Sequence, residues 1–476
     1  MRFMNESIKA TAELTELVGW SMGVYLFVLM AISYYASKRI QGSEDFIVAG
    51  RRLGLGLATA TLLATWFGAG TLMAAADEIC AVGLQGAALD PFGAGLCLLI
   101  FGAFFAGPLW REKLLTLPEV FGRRFGKTAR KLGAILMIPP YLGWIAAQFM
   151  ALAGIITLFF DLPFGWTLAV VALVGTGYTM LGGMWAVSLT DAFQLGLVIL
   201  GLTVLTFEAL AEVGGLPSMW TSLPVEHRVF IPLESMGALM GFIGVVAAGA
   251  LGNIPSQDVS QRVFSSRSET VAKRACWLAG GAYLLLGLSP VILGLVGRVM
   301  EVGQEQATVV QVASVSLNPA LAVLLIVTLM SVILSTIDGA LLAPASVLVN
   351  DLLTKEDETS RLGEFRLGVG IMGVVSLGLA LAGENAYAML EASYELGMVS
   401  LLAPLTYALY AKKKDGKAAL ASMLVGTFLW LGHYLTGKEY FLGFEGWPLG
   451  LCAMILSFIA YPTVARRQGE GDTPVG

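Results

Sequence analysis

Apolar residues along this chain come in long blocks, not in alternation or a one-sided stripe. Each block is close to the ~20 residues that one bilayer-crossing helix needs. Charge-free blocks cover 17–37, 53–76, 132–160, 162–190, 235–257, 275–297, 306–337, 418–437 and 446–465, and the 79–110 block carries one charge, Asp90. Shorter blocks at 192–207, 339–350, 367–383 and 396–411 complete or extend spans. With 79–110 split from its neighbours and 306–350 joined, the pattern predicts an all-α polytopic membrane protein of about 13 transmembrane helices. The first block follows a polar, acidic tail without a small-residue cleavage site, so it reads as a retained helix.

Composition agrees: 57% of the residues are apolar and only 13% charged, about half the ~25% of a soluble domain. The net charge of −5 offers no basic surface for nucleic acid. Cys80, Cys97, Cys276 and Cys452 are far apart in apolar surroundings, which suggests neither a disulfide framework nor a zinc site. Lys and Arg set the orientation. If the N-terminus is outside, the inner segments hold 24 of the 29 basic residues, including those at 38–52, 111–131, 262–274 and 412–417. That predicts an external N-terminus and a cytoplasmic C-terminus, in the cell membrane. No polar stretch is long enough for a soluble domain, which argues against a receptor or kinase with its own output module.

Candidate chemistry lies where polar groups and helix breakers interrupt the spans, because ionisable residues inside a bilayer face cavities, ions or partners. Asp90, Asp191 and Asp338 are such residues, with Asp258 near a helix end. Gly68-Ala69-Gly70, beside Trp66 and Phe67, weakens the second span. A break there frees carbonyls for a cation and N–H groups for an anion; small-residue helix contact is the alternative. Ser331, Ser335 and Asp338, with Thr336 adjacent, share a helix face. They form a hard-oxygen set suited to Na⁺, unless the hydroxyls bond back to their own helix. Ser188, Thr190 and Asp191 follow a Gly182-Gly183 turn, either as a helix cap or with Asp191 as a cation ligand or proton carrier. Asn253-Ile254-Pro255 interrupts the seventh span, with Arg262 opening the next inner loop. Breaks five helices apart fit two inverted five-helix repeats, spans two to six and seven to eleven.

These stretches are familiar together. Leu117-Pro118-Glu119 with the basic run after it, Gly182-Gly183 through Asp191 and Gln194, Gln261-Arg262, and Ser335-Thr336 with Asn350-Asp351 resemble the sodium/solute symporter family. The likeness covers nearly the whole chain. Within the family, Ala64-Thr65-Trp66, Ile254-Pro255 with Gln257, Gln261, Arg262 and Val263, and Ser335 to Asp338 are most similar to the high-affinity choline transporters. The resemblance implies a LeuT-like core of two inverted five-helix repeats and uptake of a solute with inward Na⁺. On that reading residues 1–476 form a single symporter domain: an extra helix at 17–37, repeats at 53–212 and 235–411, and C-terminal helices at 418–466.

Carried over residue by residue, the resemblance implies a Na⁺ site of Ala64, Phe67 and Val332 carbonyls with Ser335 and Thr336 hydroxyls. It implies a second site from Asp191, Ser335 and Asp338. The substrate set is Trp66, Gly68, Asp90, Trp144, Ser256 and Gln257. Trp66 and Trp144 match positions of an aromatic cage, the expected solution for a quaternary ammonium. Ser256 stands where the choline carriers place tryptophan, and Ala94 where an aromatic is expected. Asp90 is a candidate counter-ion for an organic cation or a carboxylate hydrogen-bonded between helices.

The expected activity is Na⁺-coupled symport of a small organic solute, such as choline, by alternating access. One charge moving through ~100 mV yields ~2.3 kcal/mol, and a tenfold Na⁺ gradient adds ~1.4 kcal/mol. The alternatives are an amino-acid, proline or carboxylate symporter and a transporter-fold sensor. No nucleophile–base pair suggests an enzyme. The partners implied are the solute, sodium and the lipid bilayer, with the number of Na⁺, a role for H⁺ and the oligomeric state left open.

Overall fold

A helix of n residues is about 1.5n Å long, so an apolar run far beyond 20 residues must tilt or turn back. The computed structural model describes residues 12–302, 307–314, 318–353, 361–382, 386–437, 440–443 and 446–471. Among the described residues there is no β-strand, and ten helical runs are long and apolar enough to cross a membrane. Two of the ten exceed one crossing and are interrupted. Phe164–Glu212, with 49 residues, turns at Gly183, where φ is 49° and ψ is −150°. Glycine is nearly alone in tolerating that backbone, and a Cβ there would stand 2.5 Å from the Phe46 carbonyl oxygen. Ser188, Thr190 and Asp191 therefore lie inside the helix after the turn. The 42-residue run Gly70–Arg111 turns at Gly83 and loses helical backbone again at Asp90.

Two boundaries differ from the sequence pattern. Asp77 and Glu78 separate two apolar blocks, yet they sit within the helix Ala75–Val82. The Asp77 carboxylate accepts the N–H groups of Thr308 at 2.7 Å and Ala307 at 3.2 Å, which caps the short helix Thr308–Ser314. The 306–350 stretch is accordingly not one span. Its long helix starts at Pro319, where the Asn318 side chain accepts from Leu321 at 3.0 Å.

Both expected breaks are present. Leu55–Trp66 stops at Phe67, and the Gly68 N–H folds back onto the Trp66 carbonyl at 2.9 Å, a three-residue turn. Helix resumes as wide turns over Gly70–Ala74 and continues as Ala75–Val82. Met236–Gly252 ends at Asn253, Pro255 has no N–H to continue it, and Gln257–Ser265 restarts it. The first break lies against Pro319–Val347, and that run is the most deeply buried of the ten. The second lies against Ala386–Tyr410, where a Cβ on Gly397 would stand 2.5 Å from the Gly252 carbonyl oxygen. At the basic end the two half-helices are stitched together: Leu53 donates to the Ser265 carbonyl at 3.0 Å and Arg267 to the Leu53 carbonyl at 2.9 Å.

Gly183→Ala is expected to destabilise the protein by about 2 kcal/mol through backbone strain and the clash at Phe46. Gly177→Ala has open space around its Cβ and is the control. Thermal unfolding in detergent should be several degrees lower for the first variant than for the second; equal unfolding temperatures contradict the turn geometry.

Candidate functional site

An unwound turn inside a bilayer leaves backbone groups that only protein or a ligand can satisfy. At the first break the partners are identifiable. Ser335 Oγ donates to the carbonyls of Ala64 and Val332, each at 3.0 Å. Thr336 Oγ1 reaches the Thr65 carbonyl at 3.0 Å and Val332 at 3.1 Å. Two hydroxyls and three carbonyls therefore converge between Leu55–Trp66 and Pro319–Val347, an all-oxygen set of the kind that suits Na⁺. Gly68 is required there, since a Cβ would stand 2.6 Å from Thr336 Oγ1. Thr65 is an addition to the expected set. Neither hydroxyl donates to Phe67, whose ring packs edge-on against Tyr283 at 5.5 Å. Ser331, on the same helix face, bonds back to Val327 at 2.7 Å.

A second buried cluster lies beside it. Arg262, counted from sequence with the inner-loop charges, is only 1% exposed within Gln257–Ser265. Its guanidinium donates to the Thr61 carbonyl at 3.1 Å, to the Asp258 carbonyl at 3.0 Å and to Thr65 Oγ1. Asp191 Oδ2 stands 4.0 Å from Arg262 and accepts from Thr61 Oγ1 at 2.5 Å. Asp338 accepts a long bond from Thr190, the residue before Asp191, at 3.4 Å. Among the described residues, Asp191 Oδ1 has no hydrogen-bond partner. Asp191 and Asp338 thus share one cluster, while the Ser335 hydroxyl is committed to the first break. Gly339 makes room for Arg262: a Cβ would be 2.6 Å from its Nη2.

The proposed substrate residues separate into groups. Trp144 and Ser256 line a narrow cleft together with Met137, Tyr141, Asn253 and Tyr394. Among the described residues, no Lys or Arg lines it. Trp66 is one residue behind: its Nε1 donates to Asp258 at 2.5 Å, and Tyr141 donates its hydroxyl to the other Asp258 oxygen at 2.5 Å. Asp90 accepts from Thr71 at 2.9 Å and from Tyr283 at 2.8 Å, and the Tyr283 hydroxyl is also within 3.2 Å of the Trp66 carbonyl. Gln257 uses both ends of its amide on the 115–117 loop, accepting from Leu117 at 2.7 Å and donating to Leu115 at 3.2 Å. Ala94 is buried in the core rather than lining the cavity.

Sequence reading missed Tyr141, Tyr394, Tyr283 and Gln148. Buried Gln148 accepts the Ala69 N–H at 3.0 Å, filling the second backbone donor of the break. A signal existed: Tyr141, Trp144 and Gln148 recur at three- and four-residue spacing, on one helix face.

Paired breaks, a midspan oxygen cluster and an adjoining cavity define a membrane transporter of discontinuous-helix type. The model of the sodium:solute symporter family matches residues 46–426, and the chain belongs to that family: it is a Na⁺-coupled solute transporter, not an enzyme. It is 26% identical over 459 residues to the human (Homo sapiens) high affinity choline transporter 1, covering 88% of this chain and 76% of that one. It is also 26% identical over 475 residues to the high-affinity proline transporter of Bacillus subtilis (strain 168), covering 93% and 98%. A solved structure of a Na⁺-coupled sialic acid symporter in a substrate-bound outward-open state shares the fold. Its TM-score is 0.78 at 17% identity, over 94% of this chain and 98% of that one.

Arg262→Met removes the guanidinium and strands Asp191, and breaking a buried pair costs about 3–5 kcal/mol. We expect a marked loss of thermal stability, partly recovered in Arg262→Met/Asp191→Asn. No recovery in the double variant contradicts the pairing.

Proposed function

We propose that the chain imports a small organic cation with Na⁺, by alternating access, and that choline is a representative substrate. The carrying observation is the chemistry of the cavity. Three aromatic side chains, Tyr141, Trp144 and Tyr394, line it with no basic group among them. The Tyr141 hydroxyl donates to a buried carboxylate, which enriches the ring electrons that a cation meets. The likeness to choline transporters supports the same reading. The proline alternative, supported by the B. subtilis relative, needs free N–H groups at the first break to hold a carboxylate. Those of Gly68 and Ala69 are already taken by Trp66 and Gln148, which favours the cation.

On this reading Na⁺ binds among the Ala64, Thr65 and Val332 carbonyls and the Ser335 and Thr336 hydroxyls, with Phe67 at the break as an additional carbonyl. It displaces the hydroxyl protons from the carbonyls they now serve and holds the broken helix against its partner. Loss of Na⁺ to the inside frees the half-helix and releases solute. Asp191 and Asp338, two buried carboxylates with one guanidinium beside them, are the candidate for a second cation or a proton. The turns at Gly83 and Gly183 divide two of the ten runs, Ala386–Tyr410 adds one more, and Leu55–Trp66 is the first half of a crossing that residues 70–82 complete, which favours 13 crossings. Those crossings comprise an extra first helix, repeats at 53–212 and 235–411, and two final helices. The basic-residue asymmetry favours an external N-terminus in the cell membrane. Asp90 then acts as a brace between helices more than as a counter-ion, because both its oxygens are already engaged.

Two measurements test this. Ser335→Ala and Thr336→Val should each raise the half-saturating Na⁺ for thermal stabilisation by tenfold or more, a loss of ~1.4 kcal/mol. Thr406→Ala removes a hydroxyl that bonds only its own helix at 2.8 Å and should leave the titration unchanged. Equal titrations in all three place Na⁺ elsewhere. Labelled choline should accumulate in proteoliposomes under an inward Na⁺ gradient and not under K⁺. Proline uptake without choline binding overturns the cation reading.

A further inference from the structure

The first break is held by a residue whose chemistry exceeds what holding requires. Ala69 presents an N–H, so the atom of Gln148 that meets it is the carbonyl oxygen, 3.0 Å away. That contact settles which way round the amide lies. The other arm of the fork, Nε2, carries two hydrogens and donates to no atom among the described residues. Gln148 is 1% exposed. Nε2 is not among the enclosed side-chain atoms left without a partner, so this donor meets accessible space, and an acceptor for Ala69 alone would not need it. Gln148 does not itself line the cavity but stands beside it. Gln148 shares a face of the helix Lys127–Phe160 with Met137, Tyr141 and Trp144, three residues that line the cavity. It stands four residues beyond Trp144, about 6 Å along the axis, and next to the break.

We infer that Gln148 is a specificity-determining residue: its carbonyl holds the first helix break and its amide nitrogen donates to an oxygen of the transported solute. The solute then has two features, a cationic head among Tyr141, Trp144 and Tyr394 and an acceptor oxygen within a few bonds of it. This rests on the organic-cation reading above. It also explains how solute and cation sites communicate, since one side chain touches the solute and the strand of backbone whose carbonyls face Ser335 and Thr336.

The test uses the full-length protein in detergent and two probes, choline and tetramethylammonium, which share a head and differ in the hydroxyl. Gln148→Glu keeps an acceptor for Ala69 and loses the donor; Gln148→Met loses both. Any charge effect of the glutamate acts on both cations alike, so the readout is the ratio of their dissociation constants. Wild type should prefer choline, and the preference should fall at least fivefold in both variants. The half-saturating Na⁺ should rise severalfold in Gln148→Met and stay within twofold in Gln148→Glu. An unchanged ratio in both variants overturns the donor role, which a purely structural glutamine would leave untouched. If wild type binds neither cation, the organic-cation reading fails, and the sodium titrations alone decide: identical curves for the two variants overturn the link to the break.

Discussion

Hydrocarbon offers no hydrogen bonds, so a helix can unwind in the membrane only where protein answers each backbone group it frees. Every other feature of the site follows from how this chain meets that constraint at residues 66–70. Ser335 and Thr336 answer the carbonyls of Ala64 and Thr65, Tyr283 and Thr71 answer Trp66, and Gln148 answers the N–H of Ala69. These partners come from three separate helices, so the break is a joint whose conformation is set by what its neighbours hold. A hydroxyl bonded to a carbonyl is a replaceable arrangement: a small cation takes the carbonyl and the hydroxyl oxygen together. On the proposed reading, that makes the joint responsive to Na⁺ without any large rearrangement of the surrounding helices.

The basic-side halves of the two broken helices behave as a unit in this arrangement. Backbone bonds tie Leu53 to Ser265 and Arg267, and Arg262 spans from one half-helix to Thr61 and Thr65 on the other. A buried guanidinium is a poor source of net stability, but it is an effective registry device because moving either half-helix alone would strand it. Asp191 on a third helix supplies the opposing charge, and Gly339 supplies the space. Whatever shifts the first half-helix therefore bears on the second, and on Asp258, which holds the cavity-lining Tyr141 from behind.

Much of this was legible in sequence, for physical reasons that are local. Gly68-Ala69-Gly70 and Asn253-x-Pro255 weaken helix wherever they occur, and Gly183 turns where only glycine is at ease. Hydroxyls at helical spacing announced a shared face at Ser335 and Thr336. What sequence did not show depends on partners distant in the chain. Arg262 looks like the first charge of a loop until Thr61 and Asp191 are seen around it. Asp77 looks like the end of a span, and instead caps a helix 231 residues away. Asp90 had two readings of similar merit, and neither shows that Thr71 and Tyr283 stand at its two oxygens. Gln148 sits in an apolar block as one amide among many apolar side chains; its role exists only because the helix breaks at Phe67 and Gly68 and leaves the Ala69 N–H for it to hold.

The central claim is that Na⁺ holds the first broken helix against the Ser335–Thr336 helix. The most direct measurement is the distance between spin labels at Gly56→Cys and Leu353→Cys, by pulsed electron paramagnetic resonance, with the four native cysteines replaced. Gly56 is exposed with open space around its Cβ, and Leu353 is exposed at the end of the partner helix. In Na⁺ the account predicts a short, narrow distribution; in K⁺ at equal ionic strength it predicts a longer and broader one. Identical distributions in the two salts would contradict it.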